Sequence, residues 1–165
     1  MFAEVKRRKM LGEKVGFTCS TFDLLHAGHI TMLTESKNNC DFLVVGLMTD
    51  PTHDRKEVKS PPVQTILERW IQLQALSMVD LIIPFDSEKD LYDLLLILQP
   101  DRRFVGEEYV NSKFTGYDIP GIEIFFNQRK HRFSTTELKK RVNESEIVEC
   151  SEYKKIRFLE DLHKE

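Results

Sequence analysis

Five apolar runs of strand length punctuate the chain, at Lys14–Cys19, Phe42–Met48, Leu81–Phe85, Arg103–Gly106 and Ile122–Phe126, each rich in Val, Ile, Leu or Phe. The intervals between them show helical spacing: Ile30, Leu33 and Lys37; then Ile66, Trp70, Leu73 and Leu76; then Leu91, Leu94, Leu95 and Leu98. Nearly continuous apolar strands alternating with helices imply a parallel sheet covered on both faces. Right-handed crossovers then make an α/β, Rossmann-like, doubly wound five-stranded sheet the expected architecture. Ligands of such a sheet bind beyond the C-terminal ends of its strands, at the switch in strand order. The segment Thr21–His29 follows the first run and so falls at that place.

At 165 residues, with 41% hydrophobic and 31% charged residues, the chain suits one hydrophobic core rather than a disordered or multidomain protein. The domain is expected to run over residues 1–143, followed by a charged C-terminal helical tail, 144–165. In that tail Ile147, Tyr153, Ile156, Phe158, Leu159 and Leu162 suit a helix laid on the domain or on a partner subunit. A net charge of −3, with Lys and Arg spread along the chain, excludes a nucleic-acid footprint; the run Lys6–Lys9 reads as a solvated face. No apolar stretch approaches the ~18 residues of a membrane span, and residues 1–12 lack the apolar region of a secretory signal, so a cytoplasmic protein is expected. Cys19, Cys40 and Cys150, odd in number and far apart, argue for reduced thiols. Thr49–Pro62, rich in turn formers and charge, reads as a long binding loop without regular structure.

Two histidines separated by Ala-Gly, His26 and His29, follow the first strand directly. If a helix begins near Ala27, both imidazoles face one small volume, while Gly28 lets a phosphate approach the backbone at the helix N-terminus. Imidazoles that are partly cationic near neutral pH would strengthen hydrogen bonds to a phosphate on which charge develops. A metal pair fits less well: histidine ligands on a helix more often sit at i and i+4 with a third ligand, and no such cluster is present. Ser134, Thr135 and Thr136 precede an amphipathic segment, where hydroxyls and free N–H groups suit both helix capping and phosphate binding.

With TFDLLHAGH at Thr21–His29 and FSTTELKKR at Phe133–Arg141, the chain resembles the HxGH nucleotidyltransferases over roughly Lys14–Val142, and among them the glycerol-3-phosphate cytidylyltransferases. The resemblance implies attack by an acceptor phosphate oxygen on the α-phosphorus of CTP, with pyrophosphate leaving in line. It further implies Mg2+ arriving with the triphosphate, a small phosphorylated acceptor (glycerol 3-phosphate by analogy) and a homodimer. His26, His29, Lys56, Lys59 and Arg129 are the catalytic positions by this resemblance, with Arg55 as an alternative to either loop lysine. Ser20, Thr21, Phe22, Asp23, Gly28, Gly106, Glu107, Arg129, Ser134, Thr135 and Thr136 are expected around the nucleotide, and Lys56, Lys59 and Arg69 around the acceptor, Arg69 with the further option of ordering the loop. Asp23 could hold the motif loop by hydrogen bonds. Ser20 stands where the family has glycine, and would cost on the order of 1 kcal/mol if that position required φ > 0. Phosphocholine, phosphoethanolamine and other sugar or polyol phosphates stay open as acceptors. Val79–Asp101 also resembles heptose-phosphate adenylyltransferases, which keeps an ATP-dependent sugar-phosphate enzyme as the alternative. Val105, where those proteins have lysine, and Arg129 favour CTP. A catalytically silent nucleotide-binding module is the third reading.

Overall fold

The computed structural model describes residues 1–57, 60–128 and 133–145. The chain divides into two compact units, Met1–Arg132 and Phe133–Glu165. The first is built as α1 (Phe2–Met10), β1 (Val15–Ser20), α2 (Ala27–Lys37), β2 (Phe42–Met48), α3 (Thr52–Arg55), α4 (Ile66–Gln74), β3 (Leu81–Phe85), α5 (Glu88–Leu98), β4 (Arg102–Gly106), a 3-10 turn (Glu107–Tyr109) and β5 (Glu123–Asn127). All five strands are parallel, in the order β3-β2-β1-β4-β5. The order reverses between β1 and β4, so the doubly wound sheet has its switch point where the motif loop leaves β1.

Alternating side chains of the strands feed two apolar clusters. Val15, Phe17, Val44, Ile83 and Phe85 pack with Val5 of α1 and Leu91, Leu94, Leu95 and Leu98 of α5. Leu43, Val45, Leu47, Ile82 and Phe104 pack with Leu33 of α2 and Leu73 of α4. The sheet thus separates an α5 side from an α2 side, and this division places every group discussed below. Pro84 is tolerated because β3 is an edge strand, where a missing N–H leaves no ladder bond unmade. Capping boxes Thr65/Glu68 and Ser87/Asp90 start α4 and α5.

Two elements differ from the sequence expectation. The basic run Lys6–Lys9 lies within α1, where Arg7 and Arg8 bond to Glu4 one turn earlier and only Val5 is buried; ion pairs and one anchor hold a helix with no apolar stripe to betray it. The long loop contains a single helical turn, α3, started by Asp50 Oδ1 accepting from the Thr52 N–H at 2.8 Å. Cys19 and Cys40 are free thiols, and Cys150 lies outside the described residues. Among the described residues no helix is long and apolar enough to cross a membrane. In the second unit residues 135–145 are helical, and Ser134 Oγ accepts from the Glu137 N–H at 3.2 Å, the bond of an N-cap. Of the C-terminal tail, residues 146–165 lie outside the described residues.

Candidate functional site

After Ser20 the chain turns sharply, and two residues adopt left-handed backbone, Phe22 at φ 51° and Leu24 at φ 49°. Ser20 is not among the left-handed positions, so the strain expected of serine there is absent; it falls one and three residues on from Thr21 instead. The turn is held from outside. Asp23 Oδ1 accepts from the N–H groups of Val63 and Gln64 at 3.0 and 2.9 Å, and Gln64 Oε1 accepts from the Leu24 N–H at 2.7 Å. Phe22, almost wholly buried, fills the α2-side core beneath it.

Arg69 is only 2% exposed, and its guanidinium donates to four backbone carbonyls: Gln64 at 3.2 Å, Thr21 at 2.8 Å, Met48 at 2.7 Å and Thr49 at 2.6 Å. Contact with an acceptor, expected from the sequence, is corrected by this geometry: the head group is turned inward and ties the ends of β1 and β2 to the start of α4. It is a positioning residue.

His26 is the N-cap of α2, its Nδ1 accepting from the Gly28 N–H at 3.1 Å. In neutral His26 the proton therefore sits on Nε2. Gly28 lends its amide to this cap. The His29 ring stacks on that of His26, centroids 3.9 Å apart and planes 19° from parallel, and its other neighbour is Phe22 at 5.2 Å. Burial, then the neighbouring His26, push the His29 pKa down to about 4 despite the opposing pull of Asp23. The expectation of a partly cationic pair is thereby corrected at His29, which is neutral near pH 7. Its Nδ1 is buried without a hydrogen-bond partner.

A cleft of about 720 Å³ opens along the C-terminal ends of β1 and β4. Of the residues expected from the sequence, Ser20, Thr21 and Gly106 line it; His26, His29, Lys56, Arg69 and Glu107 do not. Lys56 and Glu107 are exposed, Thr136 is exposed at the start of the second unit's helix, and Thr135 is half-buried there. Lys59 and Arg129 lie outside the described residues.

The cleft instead presents a cluster of which the sequence suggested only Arg55. Arg55 of α3 pairs with Glu88 at the start of α5; Glu88 also accepts from the Thr115 hydroxyl; the Thr115 carbonyl accepts from Arg103 of β4. The guanidinium carbon of Arg103 lies 5.1 Å from the centre of the Phe114 ring. Cys19 sits beside Arg103 and bonds to it, and burial, outweighing that arginine, pushes its thiol pKa up. On the far edge Asn127 donates to Glu35 at 2.8 Å. The available signal was a charge, Arg103, directly before Phe104 and Val105 in a strand-length run. Among the described residues no three His, Cys, Asp or Glu side chains are grouped to hold a metal.

Comparison with known proteins gives a match to the family model described as cytidylyltransferase-like over residues 17–141. A curated relative, bifunctional protein HldE of Caulobacter sp. strain K31, is 39% identical over 80% of this chain and 28% of its own length. The HldE protein of Paramagnetospirillum magneticum is 36% identical over 84% of this chain and 29% of its own. The chain thus spans under a third of the length of these relatives. Among solved structures, a lipopolysaccharide core biosynthesis protein from Thermoplasma volcanium GSS1 superposes with TM-score 0.57 at 27% identity, covering 74% of this chain and all of that one. The pantoate-beta-alanine ligase of Francisella tularensis, at 20% identity and TM-score 0.54 over 79% of this chain and 65% of that one, shares the fold.

Proposed function

Because the chain belongs to the cytidylyltransferase-like family, we propose that it moves a nucleotidyl group from a nucleoside triphosphate to the phosphate of a small sugar or polyol phosphate. The bond formed joins an acceptor phosphate oxygen to the α-phosphorus. The bond broken is that from the α-phosphorus to the bridging oxygen, and pyrophosphate leaves with the electron pair. A phosphate monoester, with its second pKa near 6, is already a dianion at pH 7 and needs no general base. That agrees with a site offering donors rather than a proton acceptor.

The carrying observation is the stacked pair His26–His29 at the N-terminus of α2, beyond the end of β1 at the switch point. In this reading His26 Nε2–H and the positive end of the helix meet the α-phosphate as charge builds on its oxygens. Neutral His29 supplies a hydrogen bond and not a charge. Asp23 and Arg69 hold the loop still, so the donors are aimed before substrate arrives. Lys56, Lys59 and Arg129 are assigned to the phosphates by family resemblance, as are Ser134, Thr135 and Thr136. Mg2+ enters as part of the triphosphate substrate.

For the nucleotide, ATP with a sugar phosphate acceptor is the better supported pair. The HldE relatives match across most of the chain, and Val79–Asp101 resembles heptose-phosphate adenylyltransferases. CTP with glycerol 3-phosphate is the second reading, favoured by Val105, a cleft residue where the adenylyltransferases have lysine. Pyrophosphate release measured with ATP and CTP, each against a heptose phosphate and sn-glycerol 3-phosphate, decides between them. Turnover with ATP is expected. Turnover with CTP and none with ATP establishes the second reading, and binding of both without turnover of any acceptor leaves a silent nucleotide-binding module.

A further inference from the structure

We infer that the α5-side cleft selects an acceptor bearing a second anionic group, a carboxylate or another phosphate, at the end remote from the phosphate that attacks. This rests on the nucleotidyl-transfer reading of the His26–His29 site and names its substrate class more narrowly.

Arg103 carries the argument. It is 4% exposed, lies on β4 in register with Phe17, and so belongs to the α5 side of the sheet, opposite α2 and the histidine pair. Its Nη1 donates to the Thr115 carbonyl, its head group lies over the Phe114 ring and it bonds to the Cys19 thiol, but its Nε is buried with no hydrogen-bond partner, and among the described residues it makes no ion pair. The carboxylate that shares its part of the cleft, Glu88, is committed to Arg55 and Thr115. A largely buried guanidinium that lines the cleft without an ion-pair partner is the group best matched to a carboxylate or phosphate. The lining as a whole leans the same way, with Arg55, Arg103 and Lys113 against Glu88 and Glu108.

Topology makes this the remote end of the acceptor. The reacting phosphorus belongs at the N-terminus of α2, on one side of the sheet, while the open edge of Arg103 is on the other. A molecule held at both would lie across the ends of β1 and β4, past Ser20, Thr21 and Gly106, which line the cleft on its Arg103 side. An acceptor ending in a cation, such as phosphocholine, would meet a lining in which Arg55, Arg103 and Lys113 outnumber Glu88 and Glu108.

Isothermal titration of the full chain with two matched pairs tests the inference: sn-glycerol 3-phosphate against 3-phosphoglycerate, and glucitol 6-phosphate against 6-phosphogluconate. At least one carboxylate-bearing member is expected to bind tenfold or more tightly than its neutral partner. Arg103→Met should bring that ratio to within twofold, and Arg103→Lys should restore part of it; if the Met variant does not fold, the Lys variant and the wild-type ratios decide. Equal binding in both pairs, or a preference that survives Arg103→Met, overturns the inference. Absence of pyrophosphate release with every nucleotide and acceptor, in a protein that keeps the carboxylate preference, refutes the transfer reading and upholds the anion site.

Discussion

The two sides of the strand-end surface are wired in opposite ways. On the α2 side, short polar groups and one arginine bond to backbone: Asp23 to Val63 and Gln64, Gln64 to Leu24, and Arg69 to four carbonyls. On the α5 side a chain of bonds runs from Arg55 to Glu88, from the Thr115 hydroxyl to Glu88 and from Arg103 to the Thr115 carbonyl, and leaves the Nε of each arginine without a partner. The first arrangement fixes the path of a strained loop and so fixes where two imidazoles stand. The second leaves hydrogen-bonding capacity unspent, as a pocket does when it is shaped for part of a ligand. Rigid placement of reacting groups and selection of a substrate are thus separated by the sheet itself.

Breaking the rigid side should have the largest effect. Arg69→Met removes the guanidinium donors from four carbonyls, that of Met48 in a buried bond and the other three in partly buried ones, and a buried group so orphaned costs about 1–3 kcal/mol. Urea denaturation is expected to show a loss of about 3 kcal/mol or more, whereas Arg69→Lys should lose less, since one ammonium can still reach some of the carbonyls. If Arg69→Met is no less stable than wild type, the loop is not held as described and the contrast between the two sides collapses.

Next come the imidazoles. His26→Ala and His29→Ala are each expected to lower kcat by roughly 10²-fold or more, with circular dichroism unchanged, because the interactions lost are made to a charge present only in the transition state. Near-wild-type rates in both variants would move the chemistry off the α2 side altogether.

The motif loop was legible in the sequence because its parts are contiguous: Thr21 to His29 carries the turn, the cap and both rings within nine residues. The sheet was legible for a similar reason, since each buried strand is a local apolar run, and its bounds came within about one residue. The cleft was not legible. Its charges come from α3, α5, β4 and the segment after it, and only the crossing topology brings Arg55, Glu88, Arg103 and Thr115 together. Arg69 was ambiguous for the converse reason: a ligand-binding arginine and a loop-tying one have the same sequence context, and only its burial separates them.

A smaller effect sharpens the electrostatic half of the comparison. His29 is held neutral with its pKa near 4, while in the unfolded chain it titrates near 6.5. Between those values the unfolded state binds the additional proton, so stability falls as pH drops through 6.5 and the loss is complete below 4. Between pH 7 and pH 5 this one residue should account for about 2 kcal/mol of lost stability. His29→Asn, compared with wild type by urea denaturation at both pH values, should remove that component of the dependence. An unchanged pH dependence would mean that the ring is not desolvated, and the stacked pair would lose its account.

The smallest expected effect asks whether strain belongs to the site or to the fold at large. Phe22 and Leu24 are left-handed inside the motif loop, but Gln99 is left-handed as well, at φ 44°, where it ends α5 far along the chain from any reacting group. That position is a helix C-terminus of the kind glycine fills without a Cβ penalty, and the Gln99 side chain is exposed, so little packing is lost with it. Its carbonyl, which accepts from Lys9, is untouched by substitution. Gln99→Gly should therefore stabilise the protein by about 0.5–1 kcal/mol, a rise in Tm of a few degrees, with kcat unchanged. Leu24→Gly relieves the same kind of strain but loosens the loop that Asp23 and Gln64 hold, so kcat should fall even where Tm does not. If the two glycine variants behave alike in both measurements, the left-handed turn before the histidines is an ordinary loop feature, and the precision attributed to the α2 side resides in Asp23 and Arg69 alone.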